Sequence, residues 1–185
     1  MINNKMDLKR YLDADKKALG KKRKRPRFLA DEVWKFQRAL RYREYYKNTR
    51  KKHSFVKSVK YAFWSIVHHH YSVKYGFQVP CNVCGEGLRI NHLGCLIISG
   101  NAQIGKNFNV HQGVNIGVNV DLDKAPVIGD NVFVGPGVQI FGDITIADDI
   151  AIAAGSTVNK SFNQPNITIG GVPAKIINSE KGNPF

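Results

Sequence analysis

Six histidines are present, and two stand apart: His92 and His111 lie beyond Gly76, in the glycine- and aliphatic-rich part of the chain. A neutral imidazole, with an unperturbed pKa of roughly 6.5, can take a proton from a hydroxyl or amine near neutral pH. A general base of this kind is worth on the order of 10²–10⁴ in rate. The other clusters point away from chemistry. His68, His69 and His70 are consecutive, so on a helix they diverge around the axis, and they read as a helix end. Cys81-x-x-Cys84 with His92 and Cys95 invites a zinc reading, yet the spacing C-x2-C-x7-H-x2-C matches no usual finger. No metal is expected, and the three cysteines read as small buried residues.

What must position the two imidazoles is a repeat. From Ile98 to Val158 an aliphatic residue returns every sixth position: Ile98, Ile104, Val110, Ile116, Leu122, Ile128, Val134, Ile140, Ile146, Ile152 and Val158. Helical faces recur at 3.6 residues and strand faces at 2, so a strict period of 6 predicts a coil with one inward anchor per side, a parallel β-helix. Four residues after each anchor sits a second apolar or small residue, such as Phe108, Val114, Val132, Val138 or Ile150. The residue directly after the anchor is often glycine or alanine, as at Gly105, Gly117, Gly129, Gly135, Ala147 and Ala153. His111 occupies that slot behind Val110 and breaks the rule, which is where functional residues are expected. Between Ile116 and Ile128 the repeat weakens: Leu122 keeps the phase, but Pro126 takes an inner slot, and Val118 to Val127 reads as a loop thrown out from the coil. The interior of such a prism is filled with aliphatic side chains, so any site lies on its outside, most readily between neighbouring subunits.

The helical part carries the charge. Residues 1 to 80 hold 22 Lys and Arg against 6 Asp and Glu, and residues 81 to 185 hold 6 against 8. Three units are expected: a basic α-helical region 1–75, a repeat domain 76–178 and a tail 179–185. Helices are predicted near 6–18, from an N-cap at Asp31 onward, and near 54–73. Lys21 to Arg27 reads K-K-R-K-R-P-R, a cluster that suits anionic lipid head groups or nucleic acid and also suits a solvated linker. The aromatic residues among the basic ones fall at helical spacing, which favours packing over nucleic-acid contact; a membrane surface stays open as a partner. No apolar run approaches the ~20 residues of a membrane span. The polar N-terminus shows no signal-peptide pattern and the odd cysteine count no disulfide framework, so the cytoplasm is the expected location.

Several stretches carry a family resemblance. Gly87-Leu-Arg-Ile-Asn-His92-Leu-Gly94, Ile97-Ile-Ser-Gly-Asn-Ala-Gln-Ile-Gly105, Val110-His-Gln-Gly-Val-Asn-Ile-Gly117 and the ending Ile169-Gly-Gly-Val-Pro-Ala-Lys175 resemble the serine acetyltransferase group of left-handed β-helix acyltransferases. The likeness is greatest to the members found among bacterial polysaccharide genes, and it covers the chain past about residue 30. It implies transfer of an acetyl group from acetyl-CoA to a hydroxyl, with His92 as general base; His111 is the candidate for a second imidazole in place of a later-loop histidine that the family has and this chain lacks. It implies a CoA arm along Gly135, Pro136, Ala153, Ala154 and Gly171, Val172, Pro173, Ala174 and Lys175, with Lys175 and Lys160 meeting nucleotide phosphates. It also implies a homotrimer or a trimer-based hexamer.

The chain departs from the family pattern in three places. Asn91 stands where an Asp usually precedes the histidine, Gln78-Val79-Pro80 offers no upstream Asp, and the later loop reads Asp121-Leu-Asp-Lys-Ala-Pro126 without a histidine. Glu86, Asp121 or Asp123 are the candidates to replace the missing carboxylates beside Asn91. The acceptor is therefore left between L-serine and a sugar of a capsule or lipopolysaccharide precursor. A silent β-helix scaffold and a basic surface binder are the non-enzymatic alternatives.

Overall fold

The computed structural model describes residues 1–50 and 54–184. Positions 51–53 of the basic region and Phe185 of the tail lie outside the described residues. Three helices, α1 (Lys5–Ala18), α2 (Glu32–Thr49) and α3 (Phe55–Tyr75), precede short parallel strands that wind into a three-sided prism.

The first face stacks Phe77–Gln78, Leu96–Ile98, Val114–Gly117, Gln139–Phe141 and Thr157–Val158. The second stacks Gln103–Ile104, Val127–Ile128 and Thr145–Ile146, extended by bridges from Cys84 to Ile104 and from Ile146 to Phe162. The third runs through Arg89–Ile90, Asn109–Val110, Phe133–Val134, Ala151–Ile152 and Thr168–Gly171, and Ala174–Asn178 folds back antiparallel on the last of these. The coils thus extend beyond the regular repeat at both ends. At roughly 4.8 Å per rung, five rungs make a rod about 19 Å tall.

Every anchor but one faces inward: Val110, Ile116, Val134, Ile140, Ile146, Ile152 and Val158 are all 0% exposed. The exception lies in the stretch read as a loop, and it removes Leu122 from the anchors. Leu122 is 72% exposed and its neighbour Val120 is 91% exposed. The corner between Ile116 and Ile128 carries a six-residue insert whose length equals the repeat, so the phase survives although Leu122 builds no side. Pro126 is buried, as its inner slot requires. At the corners between second and third faces the chain enters the left-handed region at Asn107, Asn131 and Asp149 (φ 54, 57 and 58). Asn and Asp tolerate that region better than most residues. They also form a ladder, with Asn107 donating to Asn131 Oδ1 at 2.8 Å and Asn131 to Asp149 Oδ1 at 3.0 Å.

The helices close the open end of the first coil. Phe36 and Leu40 of α2 are fully buried in the same core as Val79, Leu88 and Ile90. Gln37 Nε2 donates to the Leu88 carbonyl at 2.6 Å. Beside it Arg41, with 0% exposure, donates to Asp15 of α1 (2.8 Å), Glu44 (3.0 Å) and the carbonyls of Cys84 and Gly85. Asp15 in turn accepts from the backbone N–H groups of Gly87 and Leu88. Burial disfavours the guanidinium charge, but the Asp15 and Glu44 carboxylates more than offset it and raise its pKa. A buried charge persists only when paired and hydrogen-bonded in this way.

Three local expectations are corrected. Asp31 precedes α2 without capping it: its φ is 63, and its carboxylate accepts from Lys21 Nζ (2.6 Å) and Arg27 N (3.0 Å) instead. These bonds hold its pKa below the usual carboxylate range. The histidine run is interior to α3, which ends at Gly76 (φ 73). His68 faces inward against Phe36 and Arg43. Of the cysteines, Cys84 is buried with its thiol pushed up to about 12 by desolvation, Cys81 is half-buried, and Cys95 is exposed.

Candidate functional site

Strand register assembles the site. Ile90, Val110, Val134, Ile152 and Ile169 stack as one column of anchors on the third face. The residues directly after them, Asn91, His111, Gly135, Ala153 and Gly170, therefore stack along the edge between the third and first faces. At the lower coils the corner turns through Pro136 and Ala154, and at the last strand through Gly171. Sequence spacing from 17 to 24 residues thus becomes a single vertical line.

The first-coil corner is wider than those below it. Five residues separate the paired positions Ile90 and Leu96, whereas three separate Val110 from Val114 and three separate Val134 from Val138. The two extra residues, His92 and Leu93, project, and both are exposed. The His92 ring comes to lie 5.4 Å from that of His111, centroid to centroid, and Phe133 meets His111 edge-on at 5.4 Å. Desolvation, then the neighbouring His92 and Arg89, push the His111 pKa below the usual histidine value, so His111 is neutral at pH 7.

Below the imidazoles the edge is lined by small residues. A Cβ added at Gly135 would meet Ala154 N at 2.8 Å and Ile152 O at 3.0 Å, so glycine is required there for the coils to stack. The edge is consequently a shallow track along which an extended chain can approach the backbone. The hairpin after Gly171 exposes Val172 and Pro173, buries Ala174, and sends Lys175 into a cavity of about 410 Å³ shared with Lys160, Ser161 and Phe162. Lys175 pairs with Gly170 at the foot of the track, whereas Lys160 leaves the prism at the edge between first and second faces.

A second cavity, about 380 Å³, opens at His92 and is walled by Leu19, Lys21, Asp31, Glu32, Trp34 and Arg89 among others. Asp31 and Glu32 were legible only as helix-start residues; nothing in the repeat announces that α2 begins beside His92.

The other candidate carboxylates lie elsewhere. Glu86 is held by Arg10 Nε at 2.7 Å and lines a cavity with Lys17, Lys106 and Asn107, not the His92 cavity. Asp121 and Asp123 sit on the insert, which leaves the prism at the edge between first and second faces, so within one chain they do not join the His92 edge. Asn91 adjoins His92, but its amide is occupied: Nδ2 donates to Asn109 Oδ1 and to the Val110 carbonyl, and Oδ1 accepts from Arg89 Nε at 3.0 Å. Among the described residues no three His, Cys, Asp or Glu side chains converge as a metal site would require.

Comparison with known proteins agrees with this geometry. Residues 125–160 match the family described as bacterial transferase hexapeptide (six repeats). The bifunctional protein GlmU of Listeria innocua serovar 6a is 39% identical over 107 residues, 57% of this chain and 22% of that protein. The serine acetyltransferase of Buchnera aphidicola subsp. Schizaphis graminum is 31% identical over 105 residues, 55% of this chain and 40% of that protein. The chain thus matches well under half the length of these relatives. Among solved structures, the serine acetyltransferase of Brucella abortus strain S19 in complex with coenzyme A is similar over 96% to 97% of this chain. The CoA complex has a TM-score of 0.70 and 27% identity and is covered over 70% of its chain; a second structure of that enzyme has a TM-score of 0.68 and 25% identity. The likeness includes the helices as well as the coils. The chain carries a hexapeptide-repeat segment and shares with these serine acetyltransferases the fold of a left-handed parallel β-helix preceded by an α-helical region.

Proposed function

We propose that the protein is an acetyl-CoA-dependent O-acetyltransferase with its reaction centre at the His92 corner. The observation that carries this reading is the single edge on which two neighbouring imidazoles stand above a track of small residues with Lys175 at its foot. The track fits the pantetheine arm of CoA, because Gly135, Pro136, Ala153 and Ala154 leave the backbone accessible. Lys160 and Lys175 fit its phosphates.

In the transfer, His92 takes the proton of the acceptor hydroxyl as that oxygen attacks the thioester carbonyl. Backbone N–H groups of the corner stabilise the tetrahedral oxyanion. When the C–S bond breaks, the His92 imidazolium returns the proton to the departing CoA thiolate, leaving an acetyl ester and free CoA. His111, held neutral, limits the positive charge near the reacting centre.

L-Serine is the first acceptor, supported by the likeness to serine acetyltransferases; the Asp31 and Glu32 carboxylates in the His92 cavity are paired with Lys21 and Lys35, so an ammonium group would have to share them. A sugar hydroxyl is the second, supported by Asn91, whose amide is consumed within the fold and offers no charge to an amino acid. Assembly as a homotrimer, or a hexamer of two trimers, would place each His92 edge against a neighbouring prism and bring the Asp121 and Asp123 insert of one copy toward another. The test is release of free CoA from acetyl-CoA with L-serine, other hydroxy amino acids, and free and nucleotide-linked sugars. Stimulation by serine alone supports the first acceptor and stimulation by a sugar the second. CoA release that no hydroxyl compound stimulates would overturn the assignment.

A further inference from the structure

Facing away from the prism, the helical region presents a surface that the transfer reaction does not use. On α3, Phe55, Val59, Phe63, Ile66 and Val73 are each 52–81% exposed. At 3.6 residues per turn they fall within about 80° of arc, a single apolar stripe along 21 residues. The charged residues of the helix are Lys57, Lys60 and Lys74, and no acidic residue occurs in the sequence from Tyr45 to Gly85. A second element has the same character: Lys22 to Arg25 are exposed, and they lead into Phe28 (92% exposed) and Leu29 (88%).

The two elements share one surface. A groove of about 390 Å³ between α1 and α2 is lined by Lys5, Lys9, Lys16, Lys24 and Arg38, with Asp13 the one acidic residue along it, and it ends at Tyr42. Tyr42 stacks on Trp64 of α3 at 4.4 Å, and Trp64 meets Phe63 of the apolar stripe edge-on. Basic segment, basic groove and apolar stripe are thus linked through Tyr42, Trp64 and Phe63.

We propose that this surface docks the protein peripherally on an anionic lipid bilayer, with α3 lying in the interface. Charge complementarity decides the occupant. A second copy apposed through the same face would set cation against cation. Nucleic acid would satisfy the lysines and arginines but leave the aliphatic stripe in water. An anionic bilayer satisfies both, since apolar side chains enter the acyl boundary while Lys and Arg reach the head groups. No helix among the described residues is long and apolar enough to cross a membrane, consistent with a helix that lies on one.

The test is co-sedimentation of the full chain with phosphatidylcholine vesicles and with vesicles containing 30 mol% phosphatidylglycerol. The wild type is expected to pellet with the anionic vesicles only and to be released as salt shortens the Debye length. Reversing three exposed charges (Arg23→Glu, Lys24→Glu, Arg25→Glu) is expected to weaken binding by on the order of 10²-fold or more. The pair Phe63→Ser, Ile66→Ser is expected to weaken it as well, with the thermal melt of both variants unchanged. Equal pelleting with the two vesicle types overturns the proposal. So does wild-type binding by both variants, displacement by a DNA duplex that both variants bind equally, or a serine pair that alters oligomeric mass while leaving vesicle binding intact.

Discussion

Arg43 Nη1 lies 3.1 Å from His68 Nδ1. A guanidinium only donates, so Nδ1 is the acceptor and the ring is neutral. Burial, then the Arg43 charge, lower the His68 pKa to about 4. The unfolded chain, with a histidine near 6.5, therefore binds more protons between pH 4 and 6.5, and stability is lost as pH falls through that window. The loss is about 3 kcal/mol at its lower end. Denaturant midpoints measured at pH 7 and pH 4.5 are expected to diverge strongly for the wild type and less for His68→Gln, which keeps an acceptor for Arg43 but does not titrate. At the same scale, His92 and His111 were legible in sequence because one breaks the small-residue rule and the other belongs to a recognisable run. Their partnership was not, because it depends on register across 19 residues. Asp31 and Glu32 stand at the start of α2, but their place beside His92 was not legible for the same reason: a helix start is a local signal, and the wall of a cavity is not.

Between elements, Arg41 joins α1, α2 and the first coil. Arg41→Ala would leave Asp15 and Glu44 buried without a counter-charge, at a cost of ~3–5 kcal/mol. Hydrogen exchange is expected to show α1 losing protection before the coils do; uniform loss would mean that the helices and prism unfold as one unit. The insert between Ile116 and Ile128 behaves differently, since Val120 and Leu122 are exposed and its inner contacts come from Ala125 and Pro126. Deleting Asn119–Lys124 restores a six-residue corner and keeps the phase, so stability is expected to change by less than about 1 kcal/mol. If the insert reaches a neighbouring copy's His92 edge, the same deletion lowers kcat without lowering the melting temperature. The period of six made the prism legible, and Pro126 marked the insert, although an inserted length equal to the repeat leaves the pattern in phase and kept Leu122 among the anchors.

For the whole molecule, the fold followed from periodicity, and the resemblance pointed to Gly135 and Ala153 as positions for an acyl donor. Their continuity with Gly170 was not legible, because it appears only when turns of 18 and 17 residues align. Ala154 is exposed on that track, so Ala154→Phe is expected to raise the KM for acetyl-CoA on the order of tenfold while leaving the melting temperature in place. The most direct measurement compares wild type with His92→Ala for acetyl transfer and, by calorimetry, for CoA binding. Loss of turnover by on the order of 10²–10⁴ with CoA affinity unchanged is the expected result. Undiminished turnover in His92→Ala would contradict the placement of the reaction at this edge.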